Sequence, residues 1–205
     1  MSTKVHKSKG VDIQRRKILT GATGVVGAAG ATFLAVPFVS SWQPSEKAKA
    51  AGAPVDVDIS QLQPGQMLTV SWRGKPVWVV RRTPEMLEKL PILDAQLRDP
   101  ASQQSEQPVY CQNETRAINP EYLVVVGICT HLGCAPLYRP AIGSPDVGAD
   151  WQGGFFCPCH GSRFDLAGRV FQSVPAPTNL EIPPHHFMTE HLIRIGEDPQ
   201  KEGVA

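Results

Sequence analysis

The sequence predicts an all-β, antiparallel head carried on one N-terminal transmembrane helix. Three observations predict it. No charged side chain lies between Lys17 and Glu46; past residue 54, Val, Thr and Trp gather in short alternating runs; and 37 of the 205 residues are Gly or Pro. That composition belongs to sheet punctuated by turns.

Residues 1–17 carry Lys4, Lys7, Lys9, Arg15, Arg16 and Lys17 against Asp12 alone, a net +5. The remainder holds 14 Lys and Arg against 18 Asp and Glu, a net −4. A mildly acidic body on a basic tip excludes a nucleic-acid binder, which would carry its basic clusters on the folded domain.

Ile18–Trp42 supplies 25 uncharged residues. As a helix at about 1.5 Å per residue they cross a hydrocarbon core of about 30 Å. Trp42 stands where an interfacial aromatic belongs, and the basic flank marks the N-terminal side as cytoplasmic. Gln14-Arg15-Arg16-Lys17 reads as a twin-arginine export signal of the type used by proteins that fold before crossing. Gly21, Gly24, Gly27 and Gly30 keep the span only moderately hydrophobic, as such a signal requires. Cleavage at Ala48-Lys49-Ala50 is the competing expectation to a retained anchor. Residues 43–54 are small, polar and free of aromatics, and read as a flexible hinge linker.

The head spans 55–205. Val55–Ile59 alternates as a half-buried strand. Met67–Trp72 and Pro76–Arg82 flank Arg73-Gly74-Lys75 as a hairpin. Thr83-Pro84-Glu85 starts a short helix with Thr as its cap. Residues 94–108 read as loop. Tyr122–Ile128 is a buried strand leading into Cys129, and further short strands fit 154–156, 163–165, 169–171 and 192–195.

Two boxes of soft ligands stand 22 residues apart: Cys129-Thr-His131-Leu-Gly-Cys134 and Cys157-Pro-Cys159-His160-Gly-Ser162. Each offers two cysteines and one histidine. Disulfides alone would leave both histidines unexplained. Zinc held by two cysteines and two histidines has the right ligand count and is the rival, giving a zinc-stabilised binding module. Against it, zinc sites seldom carry an extra cysteine in each loop.

The boxes C-T-H-L-G-C and C-P-C-H-G-S resemble the two cluster-binding loops of the Rieske proteins of cytochrome bc complexes. The twin-arginine start, single anchor, Ala/Gly linker, Trp-Arg-Gly-Lys-Pro hairpin and late Pro-Ala-Pro segment extend the likeness to bacterial members. The resemblance implies an antiparallel Rieske-type sandwich with a cluster-binding subdomain inserted at about 124–177. It implies one [2Fe–2S] cluster, with Cys129 and Cys157 on the buried iron and His131 and His160 on the outer one. Two neutral imidazoles in place of thiolates make such a cluster less negative and raise its potential. Ser162 matches the serine that hydrogen-bonds a bridging sulfide. Cys134 and Cys159 are then left to bridge one loop to the other, and an oxidising compartment would preserve that bridge.

The function so implied is that of the Rieske subunit of quinol:cytochrome c oxidoreductase. It takes one electron from quinol at His131 or His160 and passes it to a c-type cytochrome, with proton release. Its partners would be cytochrome b, a c-type cytochrome and the bacterial inner membrane, in a dimeric complex with the head in the periplasm. The Rieske subunit of a periplasmic oxidase, such as arsenite oxidase, is the other reading. Four positions depart from the family or match nothing in it. Val174 stands for a glycine in Gly-Pro-Ala-Pro, 142–151 forms an insertion, Phe164 replaces a tyrosine that donates to a cluster cysteine, and Cys111 is expected as a free thiol on a loop or strand edge. His185, His186 and His191 lie outside the boxes and are expected as core or solvated histidines.

Overall fold

The computed structural model describes Gly10 and residues 12–199. The basic tip at Lys4, Lys7 and Lys9 lies outside them. The chain divides into two units, residues 1–49 and 50–205.

In the first unit, helix α1 runs Ile13–Ser40. It begins five residues before the uncharged span because Asp12 caps it: the carboxylate accepts from the backbone N–H groups of Gln14 and Arg15 at 3.0 and 3.1 Å. This places Arg15 and Arg16 in the first turn. The helix is apolar on every side and exposed throughout, with Val25, Val26, Phe33 and Leu34 all open. A helix of that pattern is a candidate transmembrane span rather than one face of a soluble core. The linker is not wholly irregular. Glu46–Ala51 forms a six-residue helix, α2, across the boundary between the two units. Its Ala- and Lys-rich composition favours helix even with nothing to bury.

Among its described residues the second unit holds nine strands in three antiparallel sheets of three. They are β1 (Val55–Asp58), β2 (Met67–Trp72), β3 (Lys75–Arg81), β4 (Tyr122–Val126), β5 (Leu137–Arg139), β6 (Gly154–Cys157), β7 (Ser162–Phe164), β8 (His185–Thr189) and β9 (Leu192–Ile195). Their orders are β1-β9-β8, β2-β3-β4 and β5-β6-β7. The β2–β3 hairpin turns on Arg73 and Gly74, both left-handed, so Trp72 pairs with Lys75. A two-residue turn of this hand matches the twist of the strands it joins. Thr83 caps the short helix α3 (Pro84–Glu88), as its residues predict.

Strands β3 and β4 are buried on both faces, which is why their sequences run apolar without alternation. Val77, Val79, Tyr122, Val124 and Val126 face a core completed by Val57, Ile193 and Ile195 of the first sheet. Trp78, Val80, Leu123 and Val125 face the opposite way, into a core with Phe155, Phe164, Cys129 and Cys157. The middle sheet thus serves as the floor of the small third sheet. Trp78 stacks on Phe155 at 5.3 Å between ring centroids. Gly127 makes this possible, since any side chain there would collide with the indole. Tyr138 of β5 donates to the Gly65 carbonyl at 3.0 Å, a second tie from the insertion to the base.

One expectation fails locally, and two strands go unread. Residues 169–171 make only isolated bridges, Phe164 with Val170 and Leu97 with Phe171. Strands β5 and β8 escape the sequence reading. β5 is three residues long, and His185-His186 hides the alternation of β8.

Candidate metal centre

Both boxes fold into the same loop. Cys129 N–H donates to the Cys134 carbonyl and Gly133 N–H to the Cys129 carbonyl, at 2.7 and 3.0 Å. In the second box Cys157 pairs with Ser162 at the β6–β7 turn, and Gly161 N–H donates to the Cys157 carbonyl at 2.9 Å. The fifth residue of each box is left-handed, Gly133 at φ 82° and Gly161 at φ 75°. Neither glycine has a neighbour that would obstruct a side chain. It is the backbone turn, not crowding, that requires them.

The two loops meet. The His131 and His160 rings stand edge to face with centroids 4.7 Å apart. Behind them Cys129 and Cys157 are both free and buried. Burial pushes the Cys129 thiol up, as does the adjoining Cys157, while hydrogen bonds from the His131 backbone and Ser162 pull it down. His160 is exposed, whereas His131 is half-buried with a Nδ1 that is buried and has no partner. Leu132, 71 % exposed, stands beside them.

Cys134 and Cys159 form a disulfide with Cα atoms 6.7 Å apart, as expected from the resemblance. The sulfurs of Cys134, Cys157 and Cys159 lie within 4.8 Å of one another. That trio is no ligand set, because two of its members are spent on the bridge.

The remaining four groups fit a [2Fe–2S] cluster: two adjoining buried thiols, two imidazoles at the outer end, and an orphaned ring nitrogen that a metal bond would satisfy. Ser162 is buried, and its Oγ accepts from Ala176 N–H at 3.0 Å. That acceptance leaves the hydroxyl hydrogen to donate toward the sulfur side of the site.

A third segment closes the site. Arg98 donates to the Val174 carbonyl at 2.9 Å, Ser162 holds Ala176, and Thr130 of the first box donates to the Thr178 carbonyl at 2.7 Å. The left-handed residue of this segment is Ser173, φ 58°, not Val174. Val174 therefore needs no glycine-like backbone, and its side chain is buried in the core with Cys157. The insertion at 142–151 folds back on itself. Gly143 N–H reaches the Trp151 carbonyl, and Trp151 Nε1 donates to the Arg139 carbonyl at 2.8 Å.

Sequence reasoning missed the support of the second box. Three buried arginines converge on the turn that follows it. Arg82 donates to the Leu166 carbonyl at 3.1 Å. Arg116 donates to the carbonyls of Ala167, Gly168 and Leu180 at 3.1, 3.3 and 2.7 Å. Arg169 pairs with buried Asp165 at 2.8 Å and reaches the Leu90 carbonyl at 2.7 Å. Burial pulls Arg82 and Arg116 down to about 10, with Asp165 opposing it, so both stay charged at neutral pH. No local signal marks these residues, because arginine is ordinarily a surface residue.

Cys111 is not on a loop edge. It ends a 3-10 turn (Val109–Cys111) and is fully buried, its thiol pushed up to about 11 by that burial. Histidines 185 and 186 lie on β8, the first in the core and the second half-buried, and His191 is exposed.

The Rieske [2Fe–2S] domain family matches residues 53–184, and the twin-arginine signal family of the ubiquinol–cytochrome c reductase Fe–S subunit matches 5–45. The chain is 61 % identical over 191 residues to the ubiquinol–cytochrome c reductase iron–sulfur subunit of Allochromatium vinosum, covering 93 % of this chain and 92 % of that one. It is 42 % identical to the Blastochloris viridis protein of the same name, over 89 % of this chain and 92 % of that one. Among solved structures, a chain of a hyperthermophilic respiratory complex III aligns with 30 % identity, 86 % coverage of this chain, 98 % of that one and a TM-score of 0.47. The chain belongs to the Rieske [2Fe–2S] family, within its ubiquinol–cytochrome c reductase iron–sulfur subunits.

Proposed function

We propose that this protein is the Rieske subunit of a respiratory quinol:cytochrome c oxidoreductase, accepting one electron from quinol and passing it to a c-type cytochrome. The observation that carries the reading is the polarity of the site: two buried thiols behind two imidazoles, one of them exposed beside an exposed leucine. The relatives' names support it over a periplasmic oxidase or a zinc module.

When bound, the cluster supplies one-electron chemistry at a raised potential. Cys129 and Cys157 would hold the inner iron, and His131 and His160 the outer one. With the cluster bound, His160, the more exposed of the two imidazoles, would be the one to meet the quinol hydroxyl and accept its proton. The closing segment Ser173–Thr178 and the disulfide keep water from the buried sulfurs. Helix α1 anchors the subunit in the inner membrane with its N-terminus cytoplasmic and the head periplasmic. The linker at 43–54 lets the head travel between cytochrome b and the c-type cytochrome in a dimeric complex, so the subunit is catalytic in a proton-translocating enzyme.

Purification from membranes tests the assembly: cytochromes b and c should accompany the protein together with quinol:cytochrome c reductase activity. Recovery of the subunit alone, with no cytochrome in any detergent, would refute it. Cys129→Ser, His131→Ala, Cys157→Ser and His160→Ala should each abolish the low-temperature EPR signal of the reduced cluster. A normal signal in any variant removes that residue from the ligand set.

A further inference from the structure

The Cys157 sulfur lies within 4.8 Å of both sulfurs of the Cys134–Cys159 disulfide, and it carries no bridge of its own. Cys129, the other free thiol of the site, lies outside this trio. A thiol held beside a disulfide is the starting geometry of thiol–disulfide exchange. We propose that in the cluster-free chain Cys157 exchanges with this disulfide and forms Cys134–Cys157, so that closure of the bridge before cluster insertion disables the site.

The step balances without an external oxidant or reductant. Cys157, as thiolate, attacks Cys134 Sγ. The Cys134–Cys159 bond breaks, the Cys134–Cys157 bond forms, and the electron pair leaves on Cys159 Sγ. Cys159 then takes up a proton in place of the one Cys157 released to solvent. One disulfide and one thiol exist before and after.

Exposure selects the product. Cys159 is exposed and Cys134 half-buried, so a thiolate expelled at Cys159 is solvated. Attack on Cys159 would instead join Cys157 to Cys159 around the single residue Pro158. Such a short ring forces disulfide geometry away from its ordinary Cα separations.

Occupation of Cys157 by a metal removes the nucleophile, and the bridge then stays where it secures the loops. The consequence for assembly rests on Cys157 being a cluster ligand, whereas the sulfur exchange does not. It requires the cluster to be inserted in a reducing compartment before export, an order that a twin-arginine signal permits.

The test uses the full-length protein in detergent. The cluster is removed by anaerobic chelation without reductant, and the chain is incubated for hours, since uncatalysed rearrangement takes minutes to hours. It is then denatured in iodoacetamide and mapped by tandem mass spectrometry. The expected result is label moving from Cys157 to Cys159 with time, together with a Cys134–Cys157 link. The loaded protein should show neither. Cys157→Ser should retain the Cys134–Cys159 bridge with no label on Cys159.

Label confined to Cys157 after the full incubation would overturn the proposal. So would scrambling that draws in Cys111 and Cys129 equally, because that is unfolding rather than preset geometry. Normal cluster retention in Cys157→Ser would defeat the ligand assignment while leaving the sulfur map as the separate judge of exchange.

Discussion

Phe164→Tyr should raise the midpoint potential of the cluster by tens of millivolts. Phe164 pairs with Phe155, and Cys157 with Ser162, across the β6–β7 ladder. The period of two places all four side chains on one face, with Phe164 diagonal to Cys157, a spacing an aromatic ring can span. The ring is fully buried in the core that also contains Cys129 and Cys157. A hydroxyl added there meets no water and must take a protein partner, and the cysteine sulfurs are acceptors on the same face. A donor beside the sulfur favours the reduced cluster, because reduction adds negative charge. If the difference between redox states is about 1 kcal/mol, the net worth of an ordinary protein hydrogen bond, a one-electron couple moves by roughly 40 mV. The added oxygen also overfills a packed site, at about 1–3 kcal/mol of folding stability. That loss appears in urea unfolding and not in the midpoint. Redox titration of the isolated complex, wild type against Phe164→Tyr, separates the two effects. An unchanged or lowered midpoint would refute the reasoning.

Three further outcomes follow from the packing and the signal. Arg116→Met leaves the Ala167 and Leu180 carbonyls without their buried donor, while Gly168 keeps the Leu180 N–H, and should lower stability by about 2–5 kcal/mol; a loss under about 1 kcal/mol in urea unfolding would show that the turn is held elsewhere. Burial holds the His185 imidazole below its ordinary pKa, with the Pro183 carbonyl opposing. The unfolded chain therefore binds the extra proton first, and this contribution is complete above about pH 6.5 and fades as pH falls toward the lower folded value. His185→Asn should flatten that acid limb, and an identical pH profile would exclude His185 as its source. Changing Arg15 and Arg16 together to Lys should strand the head in the cytoplasm, read by protease protection in spheroplasts; normal export would show that the pair is not the signal.

The sequence determined those features whose causes are local. The uncharged span, the hairpin turn at Arg73-Gly74 (Lys75, read as part of it, joins the strand), the Thr83 cap and the glycine at the fifth position of each box are all settled by neighbours a few residues away. The two Cys/His boxes likewise stand in the sequence, though by themselves they suit zinc as well as an iron–sulfur cluster. Tertiary structure decided what depends on distant partners. Burial on both faces of β3 and β4 comes from a third sheet inserted after them, and a continuous apolar run does not reveal what covers it. The left-handed residue is Ser173 and not Val174, which stands for a family glycine, in a segment that Arg98 and Ser162 hold from 76 and 14 residues away. Nothing in the local sequence marks the arginines at 82, 116 and 169 as buried; the fold brings successive backbone carbonyls to them. A buried guanidinium is stable only where such acceptors converge, and convergence is a property of the fold alone.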